Sequence, residues 1–339
     1  MKIAIGYHLQ EGPWGGGNQF AQSLAAALRD HGHQVCFGLR ERDIDLILLT
    51  EVRGRSPSSA FHAGSVLRYL QFRNPRAVVV HRINECDERK GTRHMNRLLK
   101  RANYAADHTV FVGSWLRELP LWCRGNSTVI LNGGDATIFK SQPSSSSSVR
   151  QPLRVVTHHW SAHRMKGFDV YERLDQLLQQ DYWREKIEFT HVGNVPPGFR
   201  YTATRHVPPL SGSELAAELS SHHVYLTGSM NEPGAMHPVE GGLCGLPIIY
   251  RSSGALPEYC DGFGIEFSGP EDLPAALNRM MAEHDQWRAA LAEYPHTAER
   301  TCQEYMELFE GLVSERHEIV ARRHLWREPW TVLRNQIPM

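Results

Sequence analysis

The sequence predicts an α/β protein of two domains, each a parallel sheet covered on both faces by helices. Three observations predict it. Short runs of buried-strand type alternate with helix-length segments through both halves. A serine tract between prolines divides the halves. The length of 339 residues exceeds what one core comfortably serves.

In the first half, Lys2 to Ile5 reads as a strand, His8 to Gly17 as a glycine-rich loop, and Phe20 to Arg29 as a helix. That helix places Phe20, Leu24, Ala27 and Leu28 on one face, and Gly32 closes it. Further strands are expected at 44–49, 77–80, 109–112 and 128–131. The segment 142–152, with five consecutive serines, has nothing to bury and reads as a linker. Beyond it, 153–157 is the next strand, 168–178 a helix, 187–191 a strand, 212–221 a helix and 224–227 a strand. The stretch 272–335 reads as mostly helical, with Trp287, Leu291, Tyr305, Leu308, Leu312, Ile319, Leu325 and Trp330 as its buried positions. The expected domains are 1–141 and 153–315, with 316–339 a helical segment packing back on the first.

Composition excludes several classes. A hydrophobic content of 41% with no apolar run near the ~20 residues of a membrane span predicts a globular, cytoplasmic protein. The six cysteines include no Cys-x-x-Cys pair, which argues against structural zinc and disulfides. No metal site is expected: Asp43-Ile-Asp45 is a weak match to an acidic metal motif and is better read as a strand start. Net charge is zero, but residues 1–141 hold 19 Lys/Arg against 12 Asp/Glu and the remainder holds the complementary acidic excess. Two readings stand: two halves that attract one another, or a first half that faces an anionic partner. Nucleic acid is disfavoured, because no basic region is interleaved with base-stacking aromatics.

The stretch from Ser229 to Tyr250 carries the most chemistry. Val224 to Thr227 is a buried strand, Gly228 to His237 the loop at its carboxyl end, and Pro238 the first residue of a short helix ended by Gly245. Glu232 in the loop and Glu240 in the first helical turn therefore flank a place where an α/β sheet binds ligands and a helix offers amides to phosphate. Carboxylates there repel phosphate but accept from hydroxyls, so the implied ligand is a phosphate flanked by polyols, as in a nucleotide sugar.

Together the motifs resemble the retaining glycosyltransferases of family 4, which have the GT-B fold: two Rossmann-like domains facing across a cleft. The matching residues are Gly15-Gly16-Gly17, His81, Asn132-Gly-Gly-Asp135 through Phe139, Lys166-Gly167, Ser229, Glu232, Glu240 and Gly245-Leu-Pro247, in the family's order. The resemblance implies that Glu240 holds the ribose and Glu232 the donor sugar. Lys166 and the Gly167 amide would meet the diphosphate, while Gly16, Gly17, Ser229, Gly234, Ala235 and Met236 complete the donor site. His81 is implied to contact the sugar or the reacting hydroxyl; read alone, it is a structural residue at a strand end. Two departures stand out. The family's arginine before Lys-Gly is absent, leaving Arg164 as the nearest candidate, and the usual Glu-Pro-Phe-Gly is Glu232-Pro-Gly-Ala235. The implied activity is retaining transfer from a UDP- or GDP-linked sugar to a hydroxyl acceptor, without cofactor or metal, in bacterial polysaccharide or glycolipid synthesis. The alternatives are an epimerase or hydrolase of the same fold, or a non-catalytic sugar- or nucleotide-binding protein.

Arg82, Arg89 and Arg93 are assigned to the acceptor side. Residues 89–101 hold six Lys/Arg and no acid, with Met95, Leu98, Leu99 and Ala102 at helical spacing, which predicts a basic amphipathic helix over that stretch. It suits an anionic or lipid-linked acceptor and peripheral contact with the inner face of a membrane, or else it is simply a solvated face.

Overall fold

The computed structural model describes residues 1–10, 15–141 and 152–337. Two compact units divide it: residues 1–131 with 298–339, and residues 132–297. The first unit runs β1 (Lys2–Ile5), α1 (Gly16–Asp30), β2 (Gln34–Cys36), β3 (Leu46–Leu49), α2 (Ala63–Phe72), β4 (Val78–Ile83), α3 (Met95–Asn103), β5 (His108–Phe111) and β6 (Ser127–Val129). Its six strands are all parallel, in the order β2-β1-β3-β4-β5-β6.

The second unit runs β7 (Leu153–His159), α4 (Phe168–Leu177), α5 (Asp181–Arg184), β8 (Ile187–Gly193), β9 (Arg205–Val207), α6 (Gly212–Ser220), β10 (Val224–Thr227), α7 (His237–Leu243), β11 (Ile248–Arg251), α8 (Leu256–Cys260), β12 (Gly264–Phe267) and α9 (Leu273–Ala290). These strands are also all parallel, in the order β12-β11-β10-β7-β8-β9. Three final helices, α10 (Ala298–Ser314), α11 (Arg316–Arg322) and α12 (Pro329–Asn335), belong to the first unit.

Parallel strands cannot be joined by tight turns, so most crossovers carry a helix over a sheet face and the central strands are buried on both faces. This is why β3 and β4 read as unbroken apolar runs: every residue of both is buried. In each sheet the chain first builds outward in one direction and then returns to the other side of its starting strand. The reversal falls between β1 and β3 in the first sheet and between β7 and β10 in the second. At such a reversal the connections leave toward opposite sides, and the crevice at the carboxyl ends of the strands is where open α/β sheets bind ligands.

The unit boundaries differ from those expected. Residues from Asn132 belong to the second unit because Gly134 lies directly on α7: a Cβ there would meet Leu243 Cδ1 at 2.8 Å and Val239 Cγ1 at 3.2 Å. At the other end, α10 belongs to the first unit, not to a domain ending at 315. Its residues Cys302, Tyr305, Met306 and Phe309 repeat at helical spacing and join the core formed by Phe20, Leu24 and Leu28 of α1, with the Phe20 and Tyr305 rings 5.0 Å apart. The expected linker, apart from Pro152, lies outside the described residues. The short strands β2, β9 and β12 were not foreseen.

Two expectations about side chains are corrected. Trp330 is 77% exposed, not buried. The basic helix begins at Met95, not Arg89, because Asp87 terminates it: its carboxylate accepts from the amides of His94, Met95 and Asn96 at 2.8 to 3.0 Å. Arg89 and Arg93 therefore precede the helix.

Candidate functional site

The crevice of the second sheet is where β7 and β10 end side by side. β7 ends in Thr157-His158-His159, and a single 3-10 turn, Arg164–Lys166, leads into α4. β10 ends in Thr227 and is followed by Gly228, Ser229 and the loop to α7. The two loops touch through glycines. Gly167 has φ of +97°, and a Cβ on it would lie 2.4 Å from the Gly228 carbonyl carbon. Only glycine fits there, which explains the Lys-Gly pair in steric terms.

That contact brings Lys166 beside the β10 loop. Its Nζ lies 2.7 Å from Glu232 Oε1, with both side chains mostly buried. Ser229, fully buried, donates from Oγ to the Lys166 carbonyl at 3.3 Å. The other carboxylate, Glu240, is buried on α7, which starts at His237, one residue before the proline expected to open it. His158 Nε2 donates to Glu240 Oε2 at 2.6 Å, which leaves Nδ1 to accept from the Tyr225 hydroxyl at 3.1 Å. Tyr225 and His158 thus hold the carboxylate in one orientation. His237 lies beside Glu232, with Nε2 2.8 Å from Thr227 Oγ1 and Nδ1 3.9 Å from Glu232 Oε1. An edge-on contact between the His158 and His237 rings, centroids 6.4 Å apart, sets the Glu240–His158 pair beside the Glu232–Lys166 pair at the end of the sheet.

Behind these pairs the imidazoles are neutral. Burial, then neighbouring His237, holds the His159 ring well below its ordinary pKa, and burial pushes His191 down to about 3. His159 Nε2 contacts the Tyr171 hydroxyl, which also accepts from the Gly228 amide at 3.3 Å. Among the described residues no group of His, Cys, Asp and Glu is arranged to hold a metal ion.

Lys166, Gly167, Ser229, Glu232 and Glu240 are thus gathered at one crevice. Ala235 is fully buried, Gly234 and Met236 are half-buried in the loop ahead of α7, and Arg164 is exposed on the same 3-10 turn as Lys166. Sequence reasoning missed His158, Tyr225 and His237. The available signal was Thr157-His-His at the end of a strand neighbouring the carboxylates.

The remaining candidates lie in the first unit, where the reversal between β1 and β3 forms a cavity of about 210 Å³. Gly16, Gly17, Glu51, Arg53 and Arg82 are among its lining residues. Arg82 lies with its guanidinium 3.9 Å from the Phe20 ring centroid. Arg89, buried, and Arg93, exposed, are not part of this lining. His81 does not stand at the end of its strand, since β4 continues to Ile83. Its ring is wholly buried, receives Asn103 Nδ2 on Nδ1 at 3.0 Å, and burial pushes its pKa down to about 3. Nδ1 is thus held within the unit, and the buried Nε2 has no hydrogen-bond partner among the described residues.

The fold is GT-B, the architecture of a large class of glycosyltransferases, as comparison with solved structures shows. HepE from Anabaena in complex with UDP has a TM-score of 0.66 at 15% identity over 92% of this chain and 100% of that one. Sucrose-phosphate synthase from Thermosynechococcus elongatus has 0.64 at 14% identity over 92% and 99%. WaaG, a glycosyltransferase involved in lipopolysaccharide biosynthesis, has 0.60 at 13% identity over 92% and 100%. No protein-family model and no curated protein sequence matches the chain.

Proposed function

We propose that this chain is a retaining glycosyltransferase, of the kind grouped in family 4, that moves a sugar from a UDP- or GDP-linked donor to a hydroxyl acceptor. The observation that carries the reading is the pair of buried contacts, Glu240–His158 and Glu232–Lys166, side by side at the reversal of the second sheet. Each has a carboxylate, and the second has a cation between a glycine turn and a loop. Glu240, oriented by His158, accepts from the ribose hydroxyls. Lys166 and the amide of Gly167 meet the diphosphate, with Arg164 on the same turn as the second cation. Glu232 accepts from hydroxyls of the donor sugar.

As the sugar–phosphate bond breaks, negative charge grows on the phosphate and positive charge on the sugar. Lys166 and the backbone amides stabilise the first, and Glu232 is set to stabilise the second. No protein nucleophile is invoked; the departing phosphate accepts the acceptor's proton on the face where the new bond forms, which retains the anomeric configuration.

The acceptor belongs to the first unit. The polar lining of its cavity, with Arg82, Glu51 and Arg53, supports a hydroxyl-rich molecule, and the basic surface around Arg89 and Arg93 supports an anionic or lipid-linked one. Such an acceptor places the enzyme in polysaccharide or glycolipid synthesis at the cytoplasmic face of a membrane.

Incubation with UDP- and GDP-sugars, with release of nucleotide followed with and without candidate acceptors, tests the reading. Acceptor-dependent release with an axial-to-axial or equatorial-to-equatorial outcome by proton NMR is expected. Inversion at the anomeric carbon, or an epimerised donor, would contradict it. Activity should survive EDTA, since cationic side chains and amides meet the diphosphate; abolition with rescue by magnesium or manganese would reject that part.

A further inference from the structure

The last helix of the chain turns its apolar side to solvent. On α12 and its flanks, Trp330 is 77% exposed, Leu333 51% and Ile337 64%, and Trp326 in the preceding turn is 50% exposed. Positions 330, 333 and 337 recur at spacings of three and four, so they share one side of the helix and its C-terminal extension. The opposite side is anchored. Val332 and Asn335 are buried, and Asn335 Nδ2 donates to the Arg101 carbonyl at 2.9 Å. The Asn335 carbonyl presses against α2 so closely that a Cβ on Gly64 would lie 2.0 Å from it. Ahead of the helix, the Tyr104 hydroxyl donates to the Leu325 carbonyl at 3.1 Å, and Arg327 lies over the Tyr104 ring. The stripe is therefore held outward by a fixed helix.

Beside it lies a cavity of about 1120 Å³ formed by α3, the 53–57 loop and α12. Arg55, Arg97, Lys100, Arg101 and Arg334 line it, with one acid, Glu328, and with Arg53, which is paired to Glu51 at 2.7 and 2.8 Å. Arg334 follows Leu333 of the stripe, and Arg101 donates from Nη2 to the carbonyl of Ile337 at 2.9 Å, so the cavity and the stripe share a border. Like charges crowd here: burial, then Arg334, lowers the pKa of Arg101.

We infer that this face docks on an anionic phospholipid bilayer, with α12 lying in the interface, its tryptophan–leucine–isoleucine stripe in the acyl boundary, and lipid phosphates in the basic cavity. The inference deepens the peripheral contact proposed above and moves it from α3 to α12. The apolar residues of α3, Met95, Leu98, Leu99 and Ala102, are all buried in the unit's own core, so that helix has charge to offer but nothing to insert. Exposed tryptophans next to a dense basic patch are complementary to the two layers of a membrane surface, apolar below and anionic above. A protein partner of ordinary composition presents no matching stack. A bilayer does.

Co-sedimentation of the full chain with vesicles tests this. Neutral phosphatidylcholine should bind weakly, and vesicles with about 30% phosphatidylglycerol should bind tightly and lose binding with salt. Replacing Trp330, Leu333 and Ile337 together by Ser should weaken binding at least ~10-fold. Replacing Arg97, Lys100 and Arg334 by Gln should weaken it by roughly 100-fold, about fivefold per charge. Tryptophan emission of the wild type should be quenched by brominated phospholipid, and the gentle pair Trp326→Phe and Trp330→Phe should remove most of that quenching. Indifference of the wild type to anionic vesicles would overturn the inference, as would quenching that survives the pair. A wild-type dimer that the serine variant splits would assign the stripe to a second copy and also overturn it. UDP titration on the same samples separates this claim from the enzymatic one: vesicle binding without nucleotide binding leaves the surface standing and removes the donor site, and the reverse result does the opposite.

Discussion

Lys166 and Glu232 hold one another at 2.7 Å with little access to water. A diphosphate that reaches this lysine competes with that carboxylate for it. Glu232→Gln keeps the shape, removes the competing charge, and removes the carboxylate from the sugar. On the proposed mechanism, affinity for free UDP or GDP should rise or hold, while turnover falls about 100-fold or more. A variant that loses nucleotide affinity and turnover in equal measure would move Glu232 out of the sugar site. The outright removal of Lys166 is a less clean test, because it strands a buried carboxylate and costs stability of about 3–5 kcal/mol. At this scale the sequence was legible where a residue type has one use. Glu232 and Glu240 were singled out by their loop and first-turn positions after a strand, and Lys166 and Ser229 by the family resemblance; the structure sets Lys166 against both Glu232 and Ser229. The place of His81 at a strand end was misread because a strand of uniformly buried residues hides where it ends, and β4 runs two residues past it.

The elements are held at the site by backbone contact more than by side chains. Gly167 and Gly228 bring the start of α4 against the end of β10, and this contact decides where Lys166 stands. Gly167→Ala places a Cβ into backbone at a positive φ. It should cost more than ~1 kcal/mol in urea unfolding and lower donor affinity as the lysine is displaced. An alanine variant as stable as the wild type would show that the two loops are free to part. Helices α1 and α4 were legible from apolar periodicity, and strands β3, β4 and β7 from short apolar runs. The start of α3 was not, since the capping carboxylate, Asp87, lies eight residues before Met95 and reaches back to its amides from a loop. The exposure of Trp330 was likewise invisible: tryptophan counts as core by composition, and only packing against α2 and α3 shows which side of α12 is taken.

Across the molecule, the two parallel sheets were legible because alternation of strand and helix leaves few topologies. The membership of α10 was not, because an amphipathic face in sequence does not say which sheet it will cover. The buried imidazoles have a global consequence. His81 and His191 have folded-state pKa values pushed to about 3, and His159 well below its ordinary value, against about 6.5 for an unfolded histidine. A lowered histidine pKa means the unfolded chain binds more protons in that interval. Stability is therefore fully present above about pH 6.5 and falls as pH drops from there toward 3. The melting temperature should decline steadily between pH 7 and pH 4, and His191→Phe should flatten part of that slope. A melting temperature independent of pH over this range would mean that these rings are open to water.

The central claim is that the crevice at the ends of β7 and β10 binds the nucleotide of a sugar donor. Calorimetric titration of UDP and GDP into the full chain and into Glu240→Ala tests it most directly. One site per chain for one of the two nucleotides and a roughly 10- to 100-fold loss in the variant are expected, with far-UV circular dichroism showing that the variant is folded. Equal affinity in wild type and variant, or no heat from either nucleotide, would contradict it.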